Sequence, residues 1–275
     1  MFVSPMLLQY AADNKPFNND EWFTELKLDG IRLIPSHIER PRLYTRHENE
    51  ITANFPELID SMPIPEGTIL DSELIVLGAD GKPDFEATME RFKSKKSKHK
   101  PHVVAFDIIK YKGTDVTGLP LSERKKLLDG AFESNEYYTK SIYWQGKGVE
   151  YFQAIQSQGL EGVVLKQADS KYEVNKRSDK WQKVIAYEMD QFYLAGYSKG
   201  KSGWLLSDGN KIVGNMEFGP SKNERIAGYE MMRRYKTKET KNYLYCQPLM
   251  RCLVKHRGYY KSGMLRLPIF EKFVI

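Results

Sequence analysis

Short β-prone runs interrupted by turns constrain this chain more than any other feature. Apolar and β-branched residues cluster at 25–33, 42–46, 68–77, 102–111 and 162–166, each closed off by helical or turn-rich sequence. Helices are expected after Ser122, where 123–128 follows an N-cap residue, and over 150–158, ended by Gly159. Neither alternates with strands in the regular βαβ manner. That excludes a doubly wound parallel sheet and leaves an α+β domain built on antiparallel sheets.

Beyond about residue 188 the texture changes. Runs at 191–197, 203–206 and 211–218 read as short strands joined by Gly or Asp-Gly turns. A capping-box sequence, Ser221-Lys222-Asn223-Glu224, opens a helix that continues through Arg234, and two more strands fit 243–255 and 264–275. Five strands with one inserted helix suit a small OB-type barrel. A length of 275 residues favours one large and one small domain, here 1–188 and 189–275.

Lys and Arg outnumber Asp and Glu by 42 to 36, a net charge of +6, so polyanions, nucleic acid above all, are the natural partners. The densest basic run, 91–100, suits either phosphates or a solvated face. The opening residues lack a basic segment followed by a long apolar one, and no apolar run approaches membrane-spanning length, so a cytoplasmic protein with no membrane partner is expected. Cys246 and Cys252 match neither a disulfide framework nor a zinc pattern and read as reduced thiols. His37, His47, His99, His102 and His256 form no paired-ligand spacing and read as surface residues, which leaves no support for a zinc hydrolase. Residues 196–200 fit a serine-hydrolase elbow and 195–202 a loose phosphate loop. Both motifs need a helix next, yet Gly203 and Trp204-Leu205-Leu206 read as a turn and a strand, which makes this a basic loop, Lys199-Gly200-Lys201, between barrel strands.

Lys27-Leu28-Asp29-Gly30-Ile31-Arg32 sets a lysine, a carboxylate, a turn glycine and an arginine within six residues. Such a pattern arises by chance in roughly one chain of this length in a few hundred, so it has to be weighed with its company against the plainer reading of a charged hairpin. A lysine attacking phosphorus must first lose a proton, and a nearby cation such as Arg32 disfavours the ammonium form. Asp71 and Glu73 lie in one β-prone run, where alternation puts both on the same face, an arrangement that invites a divalent metal or a ribose. Glu161 through Lys166 places an acid at a strand entry and a lysine at its exit, and Arg177, Lys180 and Lys183 follow around Trp181. Any one of these suits a structural salt bridge; their joint occurrence favours a nucleotide phosphate.

In order along the chain, these segments resemble the nucleotidyltransferase motifs of the ATP-dependent DNA ligases. Glu25 to Arg32 is similar to motif I, Thr45-Arg46-His47 with 54–58 to motif Ia, 70–74 to motif III, Val104-Ala105-Phe106-Asp107 to motif IIIa, 161–166 to motif IV and 177–183 to motif V. Residues 119–124 and 263–270 also resemble family segments. The resemblance implies a nucleotidyltransferase domain with ATP-grasp-like antiparallel sheets and helices, followed by an OB-fold barrel. It implies Lys27 as the adenylated lysine, Glu25 beside adenine, Arg32 near the ribose and phosphates, and Arg46 on phosphate. Glu73 would hold ribose or metal, Phe106 would stack on the purine, Glu161 would help to place the metal, and Arg177 and Lys183 would approach the triphosphate. ATP and Mg2+ or Mn2+ are then the expected cofactors, nicked double-stranded DNA the substrate, and a monomer the acting form. Two departures are expected to slow the first reaction with ATP: Ile185 stands where motif V usually offers a second lysine, and the sequence to Ile275 shows no RxDK-like motif VI. An RNA ligase, a capping guanylyltransferase or an idle nucleic-acid-binding module are the alternatives.

Overall fold

The computed structural model describes every residue except Lys201, within the expected basic loop, and Ile275, at the end of the last expected strand. The chain divides into two compact units, Met1–Ala186 and Tyr187–Ile275.

The first unit opens with β1 (Leu7–Tyr10), β2 (Trp22–Leu26), β3 (Ile31–Ile38), β4 (Arg40–Thr45), α1 (Pro56–Asp60), β5 (Thr68–Val76) and α2 (Phe85–Lys93). It continues through β6 (Pro101–Tyr111), β7 (Thr114–Asp115), α3 (Leu121–Ala131), β8 (Tyr138–Lys140), β9 (Tyr143–Gln145), α4 (Gly148–Ser157), β10 (Gly162–Gln167) and β11 (Arg177–Ile185). These strands form two sheets, ordered β1-β11-β10-β2-β9 and β4-β3-β5-β6-β7, with β8 beside β6. Pairing is antiparallel except between β1 and β11 and between β6 and β8.

Alternation along the strands decides what each face buries. Leu33, Leu70, Leu74, Val103 and Ala105 point from the second sheet toward Phe55, Leu58 and Leu128, carried by or next to α1 and α3. Their neighbours Ile34, Ile69 and Ile109 point the other way and meet Phe23 and Trp181 of the first sheet. Val163, Leu165 and Val184 cover the remaining face of the first sheet against Ile155 of α4. The layers therefore run helix, sheet, sheet, helix, with a core between the sheets.

In the second unit the strands are β12 (Glu188–Ser198), β13 (Trp204–Ser207), β14 (Ile212–Met216), β15 (Lys236–Glu239), β16 (Tyr243–Cys246), β17 (Arg251–His256) and β18 (Ile269–Val274), with α5 (Lys222–Arg234) after β14. The long β12 pairs with β13 on one side; on the other it pairs with β17 along its first half and β16 along its last residues. It changes partner at Gly196, whose φ is +145° and where a Cβ would lie 2.1 Å from the Leu244 carbonyl oxygen, so only glycine fits. This makes the unit OB-like rather than a closed barrel, with one parallel bridge, Phe218 to Ile269, at the gap. Its core surrounds Trp204, stacked on Phe273 and edge-on to Tyr229 and Phe270.

Several expectations change in detail. The run 25–33 belongs to two strands in different sheets, and 243–255 is broken by Gln247–Met250 into β16 and β17. The strand β15 had no signal, since all four of its residues are exposed. Ser122 lies inside α3, whose N-cap is Pro120, because its N–H is taken by the Ala168 carbonyl. The capping box at Ser221 and Glu224 forms as read. Among the described residues, no helix is long and apolar enough to cross a membrane.

Candidate active site

The segment Lys27–Gly30 is not a hairpin. It leaves β2 in one sheet and enters β3 in the other, and β2 and β3 do not pair. Gly30 permits the crossing, since a Cβ there would lie 2.3 Å from the Leu74 carbonyl oxygen. The Lys27 N–H donates to the Gly162 carbonyl at 2.9 Å, which brings Lys27 beside the residue before Gly162, and Lys27 Nζ lies 2.6 Å from Glu161 Oε1. Gly162 is itself obligatory: its φ is +142°, and a Cβ would meet the Val184 carbonyl oxygen at 2.0 Å.

Two recesses meet at Lys27. The smaller one is lined by Glu25, Lys27, Arg32, Glu73, Phe106, Lys166 and Trp181 with Leu8, Leu26, Leu28 and Val164. The larger one, a groove of about 600 Å³, shares Lys27, Arg32 and Glu73 and adds Arg46, Arg177 and Lys183 along its wall. Of the acids singled out from sequence, Asp71 and Glu161 line neither recess, and Glu161 reaches Lys27 directly. Lys180 is exposed and lines neither.

Phe106 enters the pocket by alternation. Val103 and Ala105 point to the helices, so Phe106 points the other way, toward the cavity, and a bulge follows it, with Ser72 paired to Ala105 and Asp71 to Asp107. Arg32 Cζ lies 4.7 Å and Lys166 Nζ 4.4 Å from its centroid. Asp71 and Glu73 do share a face, but their duties differ. Asp71 is fully buried, accepts twice from Arg32 and takes a 2.6 Å hydrogen bond from the Tyr172 hydroxyl, so it anchors Arg32 and is not available to a ligand. Asp71 also overrides the effect of burial on Arg32 and keeps its guanidinium firmly charged. Glu73 has no such clamp. Burial pushes it up to about 8, with Lys27 and Arg32 opposing and Glu161 and Asp71 adding.

At the deep end, Glu25 is 2% exposed and held between Lys125 at 2.6 Å and Lys166 at 2.8 Å. Burial alone would raise its pKa, but the two lysines win and hold it below the ordinary carboxylate value. Burial lowers Lys166 to about 8, with Lys125 adding repulsion. Nothing in the sequence of the helix after Ser122 says which of its lysines turns inward, so only the structure brings Lys125 beside Glu25.

Elsewhere the site-like sequence features resolve into structure. Lys199 ion-pairs with Glu239 at 2.5 Å and donates to the Thr240 carbonyl, which occupies half of the expected basic loop; Lys201 lies outside the described residues. In the basic run, Arg91 is buried against Glu57 and Phe55, while Lys93, Lys95, Lys96 and Lys98 are exposed. His256 is fully buried rather than at the surface, with Nε2 3.0 Å from Asp190 and Nδ1 accepting from the Gly258 N–H. Cys246 and Cys252 are buried free thiols. Ile185 is 4% exposed, and Asn14 bonds both its N–H and its carbonyl.

An amine on the crossing between two sheets, with a recess lined by Phe106 and Glu25 behind it and a cationic groove in front, belongs to the nucleotidyltransferases. Comparison with known proteins narrows this. Residues 5–184 match the family model described as the ATP dependent DNA ligase domain. The chain is 44% identical over 276 aligned residues to the SPbeta prophage-derived DNA ligase-like protein LigB of Bacillus subtilis, covering 99% of each. It is 30% identical to a probable DNA ligase of Beutenbergia cavernae, covering 74% of this chain but only 43% of that longer protein. Among solved structures, a Lig E DNA ligase shares the fold at a TM-score of 0.70 and 21% identity, covering 99% of this chain and all of that one. A mycobacterial DNA ligase D complexed with ATP and MES does so at 0.61 and 23%, covering 99% and 95%. The chain belongs to the ATP-dependent DNA ligase family.

Proposed function

We propose that the protein seals nicks in duplex DNA through a lysyl-adenylate on Lys27. The observation that carries this reading is the position of Lys27, 2.6 Å from Glu161 and lining both the smaller pocket and the cationic groove. A purine in the pocket, with its phosphates running into the groove, would bring the α-phosphorus to that amine. Nζ, having given up a proton, bonds to the α-phosphorus while the α–β bridging P–O bond breaks, and pyrophosphate leaves with the electron pair. A 5′-phosphate oxygen at the nick then attacks the same phosphorus, and the P–N bond breaks to return the amine. Finally the 3′-hydroxyl attacks the phosphorus of the 5′-phosphate and AMP departs. All three steps are displacements at phosphorus, where fixed positive charge and positioning carry most of the acceleration.

In this reading Phe106 offers the flat face for the purine and Glu25 its edge, while Arg32 and Glu73 flank the ribose. Arg46, Arg177 and Lys183 face the anionic oxygens. The carboxylates of Glu73 and Glu161 are hard oxygen donors that suit Mg2+ or Mn2+. The metal, when bound, would neutralise charge developing on the phosphate oxygens. Residues 1–188 are assigned as the adenylation domain and 189–275 as the OB-like domain, which would contact the duplex. The acting form is assigned as a cytoplasmic monomer.

The test is incubation with α-labelled ATP and Mg2+ followed by a denaturing gel. Wild type takes up label and Lys27→Ala does not; labelled enzyme given a nicked duplex then releases AMP and joins the strands. No label on the wild type, or label retained by the variant, refutes the reading. Label from GTP in place of ATP would point to capping, and joining confined to RNA strands to an RNA ligase.

A further inference from the structure

The deep end of the pocket holds three charges where one would serve. Glu25 faces the cavity. Lys166 faces it too, packed 4.3 Å from the centroid of Trp181 and 4.4 Å from that of Phe106. Lys125 does not. It comes from α3 behind Glu25, is 1% exposed, lies 4.9 Å from the Tyr143 ring centroid and lines neither recess. Burying an ion pair is costly, and apolar replacements of such pairs are often neutral or stabilising, so stability alone is a weak reason for a lysine there.

What Lys125 controls is the chemistry Glu25 can offer a base. A carboxyl this buried, left to itself, takes up a proton and then both donates and accepts. An ionised one only accepts. The difference decides which purine edge is tolerated: an exocyclic 6-amino group donates to a carboxylate, whereas a 6-oxo group sets oxygen against oxygen. Lys166 is an unreliable guardian of that charge, because it shares the cavity with the ligand. Lys125, 2.6 Å from Glu25 Oε1 on the side away from the cavity, is not displaced by anything that binds, and Ser141 Oγ supplies a further, weaker donor at 3.3 Å to Oε2.

We propose that Lys125 is a positioning residue that touches no ligand, keeps Glu25 an obligate hydrogen-bond acceptor, and so restricts the pocket to 6-aminopurine nucleotides. This rests on the reading of the pocket as the purine site. The pH behaviour follows from geometry and is supported by the opposed effects on Glu25, where burial pushes its pKa up and the lysines pull it down. Without Lys125, Glu25 becomes protonated at a higher pH than in the wild type, and discrimination against the 6-oxo base weakens as the medium is made more acidic.

The experiment measures the initial rate of adduct formation on Lys27 by intact mass, with ATP and with inosine triphosphate, its 6-oxo counterpart, between pH 6 and pH 8.5. The proteins are wild type, Lys125→Met, Lys125→Arg and Glu25→Gln. Wild type is expected to hold a constant ATP preference. Lys125→Met should lose it by roughly tenfold or more at pH 6 and less at pH 8.5, through a raised KM for ATP rather than a lowered kcat. Lys125→Arg, which retains the charge, should recover most of it. Glu25→Gln, whose amide both donates and accepts, should lose the preference at every pH. If Glu25→Gln loses the preference and Lys125→Met keeps it throughout, the proposal is overturned while the purine site stands. If Glu25→Gln keeps the preference, Glu25 does not read the base and the underlying assignment falls instead. Failure of both Lys125 variants to form any adduct at saturating ATP also overturns the proposal, since Lys125 would then serve the fold.

Discussion

Replacing Glu73 with glutamine isolates what a half-buried carboxyl costs this fold before any ligand arrives. Burial, the largest influence, pushes Glu73 up to about 8 from an ordinary 4.5. Between those values the folded chain keeps a proton that the unfolded chain has released, so stability is fully present below about pH 4.5 and falls as pH rises toward 8. At about 1.4 kcal/mol for each pH unit of that window the ceiling is about 5 kcal/mol, and partial solvent access reduces it to about 2–3 kcal/mol. Glutamine keeps the shape and cannot titrate. The variant should therefore match wild type near pH 5 and exceed it at pH 9 by about 2–3 kcal/mol, or about 5–10 °C in Tm. Thermal unfolding followed by circular dichroism, with chelator and without nucleotide, reads the difference directly. Parallel curves for the two proteins from pH 5 to pH 9 would mean that Glu73 titrates like a solvent-exposed glutamate, and the burial argument would fail. The same substitution should depress adenylation, because the carboxylate assigned to ribose or metal is gone; a gain in stability with a loss of activity is the expected signature of a strained functional group.

Two further outcomes follow from the site's supports. Tyr172→Phe removes the 2.6 Å hydrogen bond to Asp71 and the acceptor for the Met6 N–H, which should cost about 1–3 kcal/mol in urea unfolding and raise the KM for ATP as Arg32 loosens. Ile185→Lys places a charge at a position that is 4% exposed, so it should lower stability by about 2–4 kcal/mol and leave the labelling rate no higher. A faster rate would show that the position serves the phosphates after all.

What was legible in the sequence was local. Alternation put Asp71 and Glu73 on one face, and Ser221 with Glu224 announced the helix they cap, because each signal is complete within a few residues. What was not legible depended on partners far along the chain. Lys27 to Gly30 reads as a hairpin until Gly162 and Leu74 are known to lie against it from two different sheets. His256 reads as a surface residue until Asp190 and Gly258 take its two ring nitrogens. Asp107 owes its place opposite Asp71 to a one-residue slip against β5, which no pattern within β6 reveals. Asp71 matched a ligand's chemistry as well as Glu73 did, and only the ion pair with Arg32 and the Tyr172 hydroxyl beside it show that its charge is already spoken for.

The two ends of the site differ in how firmly their charges are held, and the proposed reaction needs that difference. Around the base, Glu25, Lys125, Lys166 and Asp71 are all 2% exposed or less, and each has a protein partner of opposite charge. The Lys125–Glu25 and Arg32–Asp71 pairs are fixed in advance and have no need to reorganise when the purine enters. Along the groove, Arg46 and Arg177 are exposed; Arg46 contacts the adjacent His47 ring, and Arg177 donates to the Leu8 backbone carbonyl. Interactions of exposed cations are worth about 0–1 kcal/mol, so exchanging one anionic partner for another there costs little. Between the first and second steps of the proposed cycle the AMP group stays on Lys27 while pyrophosphate leaves the groove and a DNA 5′-phosphate takes its place. A rigid base pocket retains the group that must stay, and loosely committed cations release the one that must go; the single amine at the junction of the two is the point where the exchange can occur.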